Sequence, residues 1–183
     1  MSNMEKRPSL PGDGSHKTRR ARMIRVNQAG EFGAKQIYAG QLAILGHTEI
    51  GDTIAQMKDQ EQVHLDTFNE LMVEESVRPT ALTPLWSVAG FALGAGPAML
   101  GKDAAMACTV AVEDVIDEHY RQQSAVLDDG EPLKATIDQF RAEELQHRDT
   151  ALDAGAKKAP GYRLLTTGIR AATKLAIGLS TRI

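Results

Sequence analysis

Two short runs of this chain, "DQEQVHLD" and "FRAEELQH", each place a glutamate three residues ahead of a histidine: Glu61 before His64, and Glu144 before His147. Residues three apart share a face of a helix, so each pair can aim a carboxylate oxygen and an imidazole nitrogen at one point. Such mixed oxygen and nitrogen donors are what a divalent transition metal takes as ligands. With 12 Glu and 5 His among 183 residues, chance gives on the order of a third of one Glu-x-x-His pair. This chain has two, in runs that read as separate helices.

Two further glutamates complete a pattern. Glu31 stands 30 residues before Glu61 and Glu113 stands 31 before Glu144, and the halves are offset by 82 residues at the first glutamate and 83 at the second. Tyr38 and Tyr120 follow Glu31 and Glu113 by seven residues, two helical turns along the same face. The chain therefore reads as a duplicated helix pair, repeated in spacing rather than visibly in identity. Four Glu and two His delivered by four helices are the ligand set of di-iron and di-manganese carboxylate bundles. Four buried carboxylates are too costly to desolvate unpaired, and two divalent ions restore neutrality. Carboxylate with imidazole suits iron or manganese better than calcium, magnesium or zinc. Iron is preferred, although the donors alone do not separate it from manganese.

Some neighbours compete for these roles. Asp114, Asp117 and Glu118 leave the register around Glu113 open by periodicity, while Glu143 is set aside because only Glu144 lies three residues before His147. His119, Tyr120 and Asp117 are candidates to support the ligands or carry redox chemistry, with a packed or solvated role as the plainer reading. His16 and His47 read as loop residues. Gly30 and Gly33 flank Glu31; each weakens a helix interior by roughly 1 kcal/mol relative to Ala, which implies a close approach to that face.

The elements that must position these residues are all helical. Helices are expected over about Arg19 to Leu45, Ile50 to Glu75, Lys102 to Leu127, Glu131 to Asp153 and Tyr162 to Leu179, with an uncharged segment from about Leu82 to Leu100. Gly or Pro marks each break between them. Residues 1–18 read as a disordered leader and 19–183 as one domain, an all-α bundle. The single Cys108, set in "AMACTVAV", rules out an internal disulfide and multi-cysteine metal patterns and reads as a core residue. The net charge of −3 hides a segregation. Seven Lys or Arg precede Glu31 against Glu5 and Asp13; 8 basic and 22 acidic residues follow to Asp153; six basic and no acidic residues lie beyond. An acidic middle argues against nucleic acid as a partner, and basic ends suit anionic lipid.

The segments "NQAGEFGAKQIYAGQ", "EQVHL", "CTVAVEDVIDEHY" and "FRAEELQHRD", in this order, resemble the demethoxyubiquinone hydroxylases of ubiquinone biosynthesis. The likeness runs from about Arg19 to the C-terminus. It implies a ferritin-like four-helix bundle with two additional, membrane-facing helices. It also implies two iron ions per chain, held by Glu31, Glu61, His64, Glu113, Glu144 and His147. The implied activity is an O2-dependent monooxygenase that hydroxylates a polyprenylated methoxy-methyl-benzoquinol, with NADH as ultimate electron source. No Gly-rich dinucleotide fingerprint is present. A homo-oligomer or partner proteins of the same biosynthesis are further expectations. The N-terminal residues do not read as a signal peptide or a clear mitochondrial transit sequence, so a bacterial protein at the cytoplasmic face of the cell membrane is expected.

The expected membrane contact is peripheral. Residues 79–101 carry no charge, but Pro84 and Pro97 leave only the 12 residues Leu85 to Gly96 uninterrupted, where a span needs about 20. In the last helix Leu165, Ile169, Ala172, Ala176, Leu179 and Ile183 step along one face, with Arg163, Arg170 and Lys174 nearly opposite. These two segments are expected to flank the substrate entrance. Two alternatives use the same residues differently: a ferritin-like iron-storage or peroxide-scavenging bundle, and a metal-free membrane-associated scaffold.

Overall fold

The computed structural model describes residues 15–182, and among these there are helices and turns but no strand. The order is α1 (His16–Leu45), α2 (Gly51–Glu74), α3 (Thr83–Met99), α4 (Lys102–Ser124), α5 (Pro132–Asp153), a short 3-10 turn (Ala156–Lys158) and α6 (Tyr162–Ser180). Start and stop chemistry explains the boundaries. Ser15 caps α1, its hydroxyl accepting from the Thr18 amide at 3.2 Å. The helix therefore begins three residues earlier than Arg19, and His16 is helical rather than a loop residue. Of the expected leader, residues 1–14 lie outside the described residues. Pro84 and Pro132 sit in the first turns of α3 and α5, where the missing amide hydrogen is no loss. Gly101 and Gly155, at φ 110° and 108°, make the sharp turns before α4 and after α5.

Helices α1, α2, α4 and α5 form a four-helix bundle, and α3 and α6 pack outside it, α3 mainly on α1 and α6 on α4. The bundle core has two apolar ends. Ile24, Phe68, Tyr120, Leu133 and Ile137 fill one, and Tyr38, Ile54, Met57, Met106 and Ala151 fill the other. On every bundle helix the predicted ligands fall between these two sets, so the polar centre is walled off from water at both ends. Fully burying one such large side chain stabilises by about 1.5–3 kcal/mol, so the walls hold the centre firmly in shape.

Glycines let α3 lie close. A Cβ at Gly94 would strike the Ile37 carbonyl oxygen, and one at Gly40 would strike that of Phe91. On the far side, Ile169 of α6 joins the core, and Arg170 pairs with Asp114 of α4 at 2.5 Å. The expected lipid-facing stripe of α6 is thereby corrected. Leu165 and Ile169 pack against the core, Arg170 is committed to an ion pair, and Ile183 lies outside the described residues. The large apolar side chains α6 exposes are Leu164, at 82 %, and Leu175, at 64 %. No helix among the described residues is long and apolar enough to cross a membrane.

Candidate metal centre

Each bundle helix delivers its predicted residues to the middle. Glu31, Glu61, His64, Glu113, Glu144 and His147 are all buried. Their donor atoms form two groups, each lying within 4.8 Å: Glu31, Glu61, His64 and Glu144, and Glu61, Glu113, Glu144 and His147. Glu61 and Glu144 belong to both. Glu144 turns Oε1 to His64 Nδ1 at 3.1 Å and Oε2 to His147 Nδ1 at 3.2 Å. Glu61 turns Oε2 to His64 Nδ1 at 3.8 Å and Oε1 to His147 Nδ1 at 3.1 Å. Glu31 serves the first group alone, with Oε2 at 3.5 Å from His64 Nδ1, and Glu113 serves the second.

The duplication read in the sequence appears here as exchange between the halves. Tyr38, on the helix of Glu31, donates to Glu113 Oε1 at 2.8 Å, and Tyr120, on the helix of Glu113, donates to Glu31 Oε1. Gln41 donates to Thr109 Oγ1 at 3.2 Å, and at the equivalent place Gln123 and Asn27 exchange two amide hydrogen bonds of 2.8 Å. Both histidines face the cluster with Nδ1 and turn Nε2 outward. His64 Nε2 meets Glu143 Oε2 at 2.6 Å, and His147 Nε2 meets Gln60 Oε1 at 3.0 Å.

Packing this many acids together perturbs them strongly. Burial, and then the neighbouring carboxylates with Glu144 foremost, push Glu61 and Glu113 well above the ordinary carboxylate range. Burial opposes ionisation of Glu144 too, but hydrogen bonds with His147 and His64 overcome it and bring it to about 2. Burial likewise disfavours the His64 cation, and Glu144 and Glu31 reverse that, raising it to about 11. Burial first, and the nearby carboxylates next, hold Tyr38 and Tyr120 as neutral donors.

The donor chemistry suits cations. Glu31 Oε2, both oxygens of Glu61 and Glu113 Oε2 are buried and receive no aligned hydrogen bond, the imidazoles lying near Glu31 and Glu61 without pointing a donor at them. A buried carboxylate oxygen left unmatched is costly, and a coordinated metal ion is what matches it. Imidazole with carboxylate, and shared carboxylates between two groups, fit a pair of iron or manganese ions.

Residues 18–180 match the family described as "Ubiquinone biosynthesis protein COQ7". This chain belongs to that family. The "3-demethoxyubiquinol 3-hydroxylase" of Rhodospirillum rubrum is 53 % identical over 176 residues, covering 95 % of this chain and 83 % of that protein. The mouse "NADPH-dependent 3-demethoxyubiquinone 3-hydroxylase, mitochondrial" is 56 % identical over 166 residues, covering 88 % and 76 %. The yeast "5-demethoxyubiquinone hydroxylase, mitochondrial" is 43 % identical over 180 residues, covering 88 % and 77 %.

The remaining candidates of this family member divide clearly. Tyr120 reaches the cluster through Glu31. His119 does not: it accepts from the Gln123 amide at 2.8 Å, and burial lowers it to about 4. Asp117 binds Arg141 at 2.7 Å, away from the cluster. Gln60 is absent from the residues the sequence singles out, and Glu143, set aside there as a ligand, instead backs His64. Each immediately precedes the glutamate of a Glu-x-x-His pair, and that recurrence at an offset of 83 residues was the available signal. Glu143 is held below its usual value: partial burial works against this, and hydrogen bonds from His64, Gln139 and Gln60 outweigh it.

Proposed function

We propose that this chain hydroxylates a polyprenylated demethoxyubiquinol at a di-iron centre held by Glu31, Glu61, His64, Glu113, Glu144 and His147. As a member of its family it is an oxidoreductase, a monooxygenase of ubiquinone biosynthesis. The observation that carries the di-iron reading is the sharing of Glu61 and Glu144 between two buried donor groups. Two iron ions bound there would supply the activation of dioxygen. The protein's part is to aim the donors and keep water out. Tyr38 and Tyr120 pin Glu113 and Glu31, and the apolar ends of the core close the centre lengthwise.

Access for the quinol comes from the side. A cavity of about 640 Å³ lies between α1, α3, α4 and α6, lined almost entirely by apolar side chains. Its wall includes Gly30 and Gly33, beside Glu31, and Val112, beside Glu113. A Cβ on Gly30 or Gly33 would meet nothing within 4 Å, so these glycines leave open space beside the donors. Ala172, Ala176 and Leu179 of the α6 stripe face this cavity. Leu85 of α3 and Leu175 of α6 line it and are exposed, and α3 and α6 expose Val88, Phe91 and Leu164 as well. We read this rim as the part that meets a membrane, where a polyprenyl quinol resides. Arg163 and Lys174 stay exposed on α6 for anionic headgroups.

The electron source is a reduced nicotinamide nucleotide; the mouse relative's name specifies NADPH, where the family resemblance implied NADH. Iron-loaded protein given a demethoxyubiquinol, labelled dioxygen and either nucleotide should add one labelled oxygen to the ring, with about two irons per chain. Label arriving from water, or peroxide turnover with no quinol consumed, would refute the proposal.

A further inference from the structure

The two halves of the centre match in their ligands and in the tyrosines that hold them, but not behind the histidines. Tyr38 and Tyr120 make the same contact on opposite glutamates, and Glu61 and Glu144 are both shared. The residues behind the histidines differ in charge: a carboxylate, Glu143, backs His64 at 2.6 Å, and a neutral amide, Gln60, backs His147 at 3.0 Å. Each reaches across from its own helix to the histidine of the other.

An imidazole that ligates through Nδ1 keeps its proton on Nε2, and the acceptor of that proton sets how much electron density the ring offers the metal. A carboxylate accepts a shorter, charge-assisted bond and makes the ring a stronger donor; an amide oxygen does so less. We propose that Glu143 and Gln60 make the two metal sites unequal. The pocket of Glu31 and His64 is the tighter, more electron-rich one, and the pocket of Glu113 and His147 is the weaker. This rests on the reading of the six residues as ligands. Glu143 is a positioning residue that acts through His64. Its consequence is an order: one ion enters first, and the ion beside His147 is the easier of the two to lose or to reduce.

The test is a titration of metal-free, full-length protein with Co(II), followed by visible absorption. Wild type should bind in two steps separated by about 10–100-fold, the usual effect of a histidine's outer partner. Glu143→Gln should weaken the first step until the two nearly coincide, and the double substitution Gln60→Glu with Glu143→Gln should restore the separation with the order exchanged. His147→Ala then removes the weak step from wild type and the strong step from the exchanged protein. The exchanged protein keeps one carboxylate and one amide between the histidines, so its recovery distinguishes electronic control from simple damage to the fold. Two equal steps in wild type, or a separation indifferent to both substitutions, overturns the inference while leaving the ligand assignment standing. No cobalt bound by wild type overturns the ligand assignment and this inference with it.

Discussion

Raising the pH should tighten metal binding, because the metal-free cluster holds protons that two cations must displace. His64, held at about 11, is protonated on both ring nitrogens near neutrality, and ligation through Nδ1 removes one of them. Glu144, at about 2, is already ionised and releases nothing. Glu61 and Glu113, raised by burial and mutual repulsion, add to the release wherever the pH lies below their raised values. The change in log affinity per pH unit equals the number of protons released, so the affinity for the ion pair should rise at least about tenfold per unit between about pH 6 and pH 8. Calorimetric titration with Mn(II) in buffers of differing ionisation enthalpy counts the protons, and chelator competition gives the affinity. His64→Ala should lower the proton count by about one. The same shifts govern metal-free stability. For His64 the folded value exceeds the ordinary 6.5, so its stabilisation is complete below about 6.5 and disappears as pH rises towards about 11. Raised Glu61 and Glu113 act in the same sense, contributing below the ordinary 4.5 and losing that contribution as pH climbs through their folded values. The Tm of metal-free protein should therefore fall from neutral to alkaline pH, whereas metal-loaded protein should hold its Tm. No proton release, with an affinity flat across this range, would refute the reasoning.

Other outcomes follow from packing and exposure. Gly94→Ala drives a methyl into the Ile37 carbonyl, and overpacking of this kind should cost about 1–3 kcal/mol, read as a Tm several degrees lower. Gly33→Ala meets open space and should stabilise by roughly 0.5–1 kcal/mol. Gly33→Leu should instead fill the cavity and raise KM for the quinol while metal content stays constant; unchanged KM would move the substrate path elsewhere. On α6, Leu164→Glu with Leu175→Glu should abolish flotation with anionic vesicles and leave Tm unaltered, because both side chains are exposed. Ile169→Glu should unfold the protein by burying an unpaired charge.

Much of this centre could be read from a list of residues because helix geometry is local. A Glu three places before a His shares its face whatever surrounds it, and repetition at a near-constant offset tied Glu31 and Glu113 to Glu61, His64, Glu144 and His147. Helix ends were legible for the same reason, since Pro132 and Gly101 act on their own backbone; α1 starts three residues before Arg19 because Ser15 caps it, and α4 ends at Ser124 rather than Leu127. Which half each side chain serves was decided in three dimensions. Tyr38 and Tyr120 reach the opposite glutamate, and Gln60 and Glu143 reach the opposite histidine; no spacing along one helix encodes a contact between two. The outer helix α6 shows the limit most plainly. Its periodicity defined an apolar stripe but not what the stripe faces, since packing on α4 and the Asp114–Arg170 ion pair set its rotation. That rotation turned Leu165 and Ile169 to the core, Ala172, Ala176 and Leu179 to the cavity, and Leu164 and Leu175 to the outside. Amphipathicity determines that a face will be buried; only the neighbouring helices determine against what.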